Sequence, residues 1–162
     1  MIRYKEFTRQ FKLQTESLAY QKQFELAVLI CKQLFFDYQK FCEDNNWGNP
    51  DLLLDTITFI EQSKDLMIDA ILSKKKITQI QAITPDTEDF GDASYALNSC
   101  VVVCETLEFL TDHKAEHIYS IGTCLTDTID FKIQEDNELT ETEIDNNSDM
   151  IAARKFLLEM SR

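Results

Sequence analysis

Apolar residues recur at intervals of three and four along the first third of the chain. Over residues 18–42 this spacing continues without a slip, and it places the apolar side chains on one broad face of an α-helix. The pattern predicts a buried helix that ends near Asn45. A shorter amphipathic helix is predicted before it, over residues 4–13, with Thr15 or Ser17 as the cap of the long helix.

A second helical region begins at the pair Asn49 and Pro50. Asparagine is a favoured N-cap, and proline fits the first helical position because its missing N–H has no partner there to lose. The helix is predicted to continue or re-form as far as Ile71, with Leu66 and Met67 among its apolar positions.

The rest of the chain predicts four more helices. Every position from Cys100 to Cys104 is apolar, which indicates that the helix containing them is central rather than superficial. The four are a short helix between Ser73 and Pro85, one from Ala93 to about Leu110, one from Lys114 to Gln134, and a last one over 150–160 that Ser148 caps.

The chain predicts an all-α protein, folded as a single compact bundle of six to eight helices. Only 3 Gly and 2 Pro are present, whereas sandwiches and barrels need turn residues at short intervals. No repeat or change in composition divides the chain, so residues 1–162 are expected to form a single helical domain. Residues 135–149 hold seven acids and no base, which predicts a solvated acidic linker before the last helix.

Charge is distributed unevenly along the chain. The net charge is −13, yet residues 1–40 hold seven bases and four acids, and residues 85–149 hold two bases and 17 acids. Solvated helix faces are the commoner meaning of such a pattern, but the acidic half is also suited to a basic protein partner. We expect no nucleic acid among the partners, because the protein and the nucleic-acid backbone both carry negative charge. No membrane partner is expected either, since the longest apolar run, Leu26–Cys31, is only six residues.

The five cysteines are an odd number and show neither CxxC nor disulfide-framework spacing. They sit among Leu, Val and Phe, where a free cysteine behaves as a small core residue. The N-terminus has basic residues but no apolar stretch of the kind that a secretory signal needs. We therefore expect a cytoplasmic protein with free thiols.

The chain has only two histidines, His113 and His117, and both are candidate metal ligands. Their spacing of four would put both imidazoles on one face of a helix, as in zinc sites. The HExxH pattern is absent, however, and a helix that starts near Lys114 would leave His113 in a loop. An exposed helix terminus is the alternative.

Glu105 is the candidate for acid–base chemistry because it interrupts the apolar stretch VVVCETLEFL. A half-buried carboxylate there would have a raised pKa and could transfer protons. The alternative is that Glu105 pairs with a Lys or Arg or caps a neighbouring helix. No glycine-rich nucleotide loop or nucleophile elbow is present, so we expect no cofactor and favour a protein that is not an enzyme.

Seven features occur in a characteristic order and spacing along the chain. They are Leu26–Leu34, Asp37-Tyr38, Phe41-Cys42, Trp47-Gly48-Asn49, Ile83 with Pro85, Asp89-Phe90, and Cys100-Val101 with Glu105. Together they resemble the YjaG-like family, a group of bacterial all-helical proteins of unknown function, over roughly residues 18–160. The resemblance implies an all-helical fold and supplies no activity and no catalytic residues.

Two hypotheses about function remain open. The first is a non-enzymatic cytoplasmic interaction module, an acidic adaptor or inhibitor-like binder that works as a homodimer or with a basic protein partner. The 11 Phe favour self-association, because they predict more apolar surface than one small bundle hides. The second is an enzyme or small-ligand binder with a carboxylate-lined pocket formed by Glu105, Asp89, Trp47 and Tyr38.

Overall fold

Eight α-helices and no strands make up the fold, which confirms the predicted all-α bundle. The computed structural model describes all 162 residues. None of the eight helices is both long and apolar enough to cross a membrane. In chain order they are α1 (Tyr4–Ser17), α2 (Tyr20–Asn45), α3 (Pro50–Gln62), α4 (Ala70–Ala82), α5 (Ser94–Asp112), α6 (Ala115–Ile133), α7 (Glu141–Asn146) and α8 (Ser148–Met160).

Helices α2, α5 and α6 form the centre of the bundle. α5 and α6 run antiparallel, since Asn98 near the start of α5 contacts Thr128 near the end of α6. The apolar face predicted for α2 is buried against them. The largest fully buried side chains include Phe7, Phe11, Leu26, Ile30, Tyr38, Leu107 and Phe109.

Helices α1 and α8 pack on the outer side of α6. Gly122 makes the approach of α1 possible, because a Cβ at that position would overlap the ring of Phe11. Helix α1 is one turn longer than predicted. Neither Thr15 nor Ser17 caps α2, because their hydroxyls donate to carbonyls inside α1.

The connection between α3 and α4 differs from the prediction. The helix does not continue to Ile71, because Asp69 accepts the Ile71 N–H at 2.7 Å and so starts α4 as its N-cap. The segment before it is held by the Ile68 N–H, which donates to the Leu110 carbonyl. Ser73 is not a cap but donates to the Leu107 carbonyl, which ties α4 to α5.

The acidic segment 135–149 contains more structure than a linker. Thr140 and Glu143 form a reciprocal capping box that starts α7. Asp145 is buried in the same helix. The last helix is capped by Asn147 rather than by Ser148, because the Asn147 side chain accepts the N–H of Asp149.

Candidate functional site

His117 lies between two carboxylates where α5 ends and α6 begins. Its Nδ1 is 2.9 Å from Glu105 Oε2, and its Nε2 is 3.0 Å from Asp112 Oδ2. The imidazole is only 11% exposed, whereas both carboxylates are about one-third exposed. Glu105 thus has a basic partner, as one alternative predicted, but the partner is a histidine rather than Lys or Arg.

The two carboxylates favour the charged form of His117. Burial alone lowers the pKa of His117, but the hydrogen bonds to Asp112 and Glu105 outweigh it and raise that pKa above its ordinary value. Burial opposes the charge on Asp112 as well, yet the bonds from His117 and from the Lys114 N–H lower the pKa of Asp112. When both ring nitrogens donate to carboxylates, neither is free to accept a proton or bind a metal.

His113 does not share a helical face with His117. It ends α5 in the left-handed conformation, with φ of 55°, and its ring stacks on Tyr20 at 4.2 Å. Helix α6 begins only at Ala115, so the spacing of four spans a break between helices. No group of three or more His, Cys, Asp or Glu side chains is placed to hold a metal ion.

The other proposed pocket residues lie towards the opposite end of α5. Tyr38 is fully buried; its hydroxyl donates to the Ile83 carbonyl at 2.7 Å and accepts the Asn49 N–H. Trp47 packs against aromatic rings of the same end, and Asp89 is exposed in the turn before α5. Glu105 lies eleven residues beyond the start of α5, about 16 Å along its axis. The structure therefore does not bring these four residues together.

At the end of the bundle where α5 starts, four carboxylates surround an open cavity of about 430 Å³. The cavity lies between α2, the start of α5 and the end of α6. We call this region the acidic face and define it by its carboxylates. They are Asp37, Asp44, Asp92 and Glu135, and the same cavity is lined by Lys40, Lys132, Phe41 and Tyr95.

Two of the carboxylates on the acidic face carry an ion pair and two do not. Lys132 pairs with Asp37 at 2.7 Å, and Lys40 pairs with Asp44 at 2.5 Å. Glu135 and Asp92 have no basic partner within ion-pair distance; Asp92 accepts only a hydrogen bond from the Asn45 amide. Two of the four carboxylates on the acidic face are therefore not paired with a lysine or arginine of the same chain.

The electrostatic field at the acidic face favours cations. The pKa of Lys40 is raised first by its hydrogen bond to Asp44, with smaller contributions from Asp92 and Glu135. Lys132 also lies 5.6 Å from the centre of the Tyr95 ring, a distance at which an aromatic face attracts a cation. The protein's own lysines thus show how a positively charged group is held there.

Only part of this face could be predicted from the sequence. The excess of acids in residues 85–149 identified Asp92 and Glu135 as part of a charged region. It gave no sign that Asp37 and Asp44, from a segment with a net positive charge, would join them. That assembly depends on how α2 packs against α5 and α6.

The eight helices define a protein of the all-α bundle class. The cluster of His117 with Glu105 and Asp112 lies towards the C-terminal end of α5, and the acidic face lies at its N-terminal end. The profile of a family described as "Protein of unknown function (DUF416)" matches residues 10–162. The chain belongs to this family. The resemblance drawn from the sequence is thereby confirmed as membership of an uncharacterised family, although the match does not carry the YjaG name.

A solved structure supports the fold. The chain is similar to a crystal structure of a DUF416 family protein from Shewanella baltica, with a TM-score of 0.79 and 20% identity. The match covers 93% of this chain and 83% of the other. No curated protein matches the chain.

Proposed function

We propose that this protein is a non-enzymatic interaction module that binds a basic protein partner through its acidic face. The observation that carries the proposal is the group of four carboxylates around one cavity, two of them without a basic partner. A lysine or arginine side chain of the partner would find carboxylate oxygens at the rim. It would also find the ring of Tyr95 beside them.

The chemistry of the face predicts a fast and salt-sensitive association. Exposed charges act over about one Debye length, roughly 8 Å at physiological salt. They steer the encounter more than they hold the complex, so added salt should slow association strongly. Further exposed acids, Asp136 and Glu138, follow Glu135 directly and extend the negative field.

The alternative, an enzyme or ligand binder centred on Glu105, draws less support. Glu105 and Asp112 already bind His117, which leaves no free basic nitrogen in that cluster. Burial raises the pKa of Cys104 and of Cys124 to about 12, which disfavours a thiolate nucleophile at neutral pH. Five cysteines without a disulfide fit a reducing compartment, which supports a cytoplasmic location as part of the proposal.

The test compares two variants with the same change in net charge. The first neutralises the two unpaired carboxylates of the face with Asp92→Asn and Glu135→Gln, together with the adjacent Asp136→Asn. The matched control neutralises exposed acids on α1 and α3 with Glu6→Gln, Glu16→Gln and Asp55→Asn, none of which forms an ion pair. Binding of a labelled lysine-rich peptide is measured by fluorescence anisotropy at low and high salt.

We expect the face variant to bind the peptide at least about threefold more weakly than the control, since each exposed pair contributes about 0.2–1 kcal/mol. Its affinity should also depend less steeply on salt. Equal losses in the two variants would show attraction to net charge alone and would reject the face. An intact protein that binds no basic peptide at low salt would reject the function.

A further inference from the structure

A second surface lies at the other end of the bundle, around the connection between α3 and α4. Three large apolar side chains there are mostly in solvent: Leu66 is 60% exposed, Met67 is 65% exposed and Ile71 is 81% exposed. Leu72 is also exposed. We call these four residues the apolar patch. Contiguous exposed apolar surface of this kind marks interaction sites in folded proteins.

The backbone holds the apolar patch in place rather than leaving it loose. The Ile68 N–H is bonded to the Leu110 carbonyl, and Asp69 caps the first turn of α4. Ser73 and Ile80 define the buried side of α4. With 3.6 residues per turn, Ile71 and Lys75 then lie on the opposite, outermost side of that helix.

Charges of opposite sign flank the apolar patch at its two ends. Asp65 precedes it and Asp69 lies between Met67 and Ile71, whereas Lys74 and Lys75 follow it. None of the four takes part in an ion pair within the chain. Along α4, Asp69 and Lys75 are about 9 Å apart, with Ile71 between them.

We propose that the apolar patch binds a second copy of this chain in a two-fold symmetric homodimer. A two-fold axis through the patch places apolar side chains against their counterparts. The same rotation exchanges the ends of the patch, so the acidic end of each copy meets the basic end of the other. This arrangement of charge is complementary to itself, and it satisfies four unpaired charges in each copy.

The homodimer does not depend on the acidic face. The apolar patch lies beside the C-terminal end of α5, as the bond from Ile68 to Leu110 shows. The acidic face lies at the N-terminal end of the same helix, with Asp92 and Tyr95. Dimer formation therefore leaves the acidic face of each copy accessible.

Sedimentation equilibrium of the full chain over a micromolar concentration range tests the proposal. The wild type should show a concentration-dependent mass above the 18.9 kDa of one chain. Ile71→Glu should raise the dissociation constant of the dimer by at least roughly tenfold, because it places charge in the centre of the interface. Phe36→Glu is the matched control, since Phe36 is 67% exposed on α2, away from the apolar patch.

Charge reversal tests the predicted symmetry. Lys75→Glu alone and Asp65→Lys alone should each weaken the dimer, and the combination of both should restore it. Far-ultraviolet circular dichroism verifies that each variant is as helical as the wild type. A wild type of constant 18.9 kDa overturns the proposal. So does dissociation by Phe36→Glu with no effect of Ile71→Glu, or a double reversal that fails to recover the dimer.

Discussion

Carboxylates have opposite roles at two places in this bundle. Asp145, in α7, is 8% exposed and lies 2.6 Å from Arg154 of α8, which is 3% exposed. The Arg154 guanidinium also donates to the Ile2 carbonyl and lies near the ring of Phe7. On the acidic face, Glu135 is exposed and has no ion-pair partner.

This difference shows that the number of acids does not decide what they do. Asp145 and Glu135 come from the same acidic segment, only ten positions apart. Burial beside a cation makes Asp145 part of the structure, whereas Glu135 is exposed and unpaired, as its proposed role in binding a partner requires. Replacing Asp145 should lower the stability of the fold, whereas replacing Glu135 should weaken only the proposed association with a partner.

The largest effect is expected from Asp145→Ala. It leaves the guanidinium of Arg154 buried without a counter-ion, and breaking a buried pair in this way costs about 3–5 kcal/mol. Urea unfolding followed by circular dichroism measures the change. Glu138→Gln, in the same segment, should stay within about 0.5 kcal/mol of the wild type. Similar losses in both variants would erase the distinction between the two carboxylates.

The next largest effect is expected at His117, whose carboxylate partners, Glu105 and Asp112, are about one-third exposed. His117→Gln should lower the free energy of unfolding by about 1–2 kcal/mol at mildly acidic pH, after allowance for the partly exposed partners. Because the folded-state pKa of His117 is raised, its stabilisation is complete below the unfolded value of about 6.5. It is lost as the pH rises through the higher folded value.

The difference in stability between wild type and His117→Gln should therefore shrink as the pH rises above the unfolded-state value of about 6.5. Urea unfolding of both proteins at a series of pH values below and above that value provides the measurement. A difference that stays constant or grows with pH would show that His117 is not held as a cation by Glu105 and Asp112.

A smaller effect is expected at the start of α7. Thr140→Ala removes the side chain that accepts the Glu143 N–H, and loss of such an N-cap costs about 1 kcal/mol. Thr142→Ala is the matched control, because Thr142 lies in the same helix and its hydroxyl forms no hydrogen bond. Equal stability of the two variants would mean that the capping box contributes nothing.

The sequence predicted the helices better than it predicted their contacts. Apolar spacing located α2 and α5, and Asn49 with Pro50 marked the start of α3, as the Leu52 N–H bonded to Asn49 confirms. Cap residues were predicted less accurately than the helices, because several Ser, Thr and Asp residues near a helix end can each act as the N-cap. Asp69 rather than Ser73 is the N-cap of α4. Leu66, Met67 and Ile71, predicted as apolar positions of a helix, are exposed.

Contacts between distant segments could not be predicted from the sequence. Glu105 and His117 were each singled out, but only the antiparallel packing of α5 and α6 brings them to 2.9 Å. Asp145 looked like any other acid of its segment, and nothing local revealed Arg154 as its partner. The acidic face likewise needed three helices to come together before its carboxylates shared a cavity.

The most direct test of the proposed function is a map of where a basic partner binds. Amide resonances of the isotope-labelled protein are followed by NMR while a short lysine-rich peptide is added. We expect the largest shifts at the acidic face, around Asp37, Asp92, Tyr95 and Glu135, with little change near His117 or Asp145. Shifts spread evenly over all exposed acids, or centred on His117, would contradict the account.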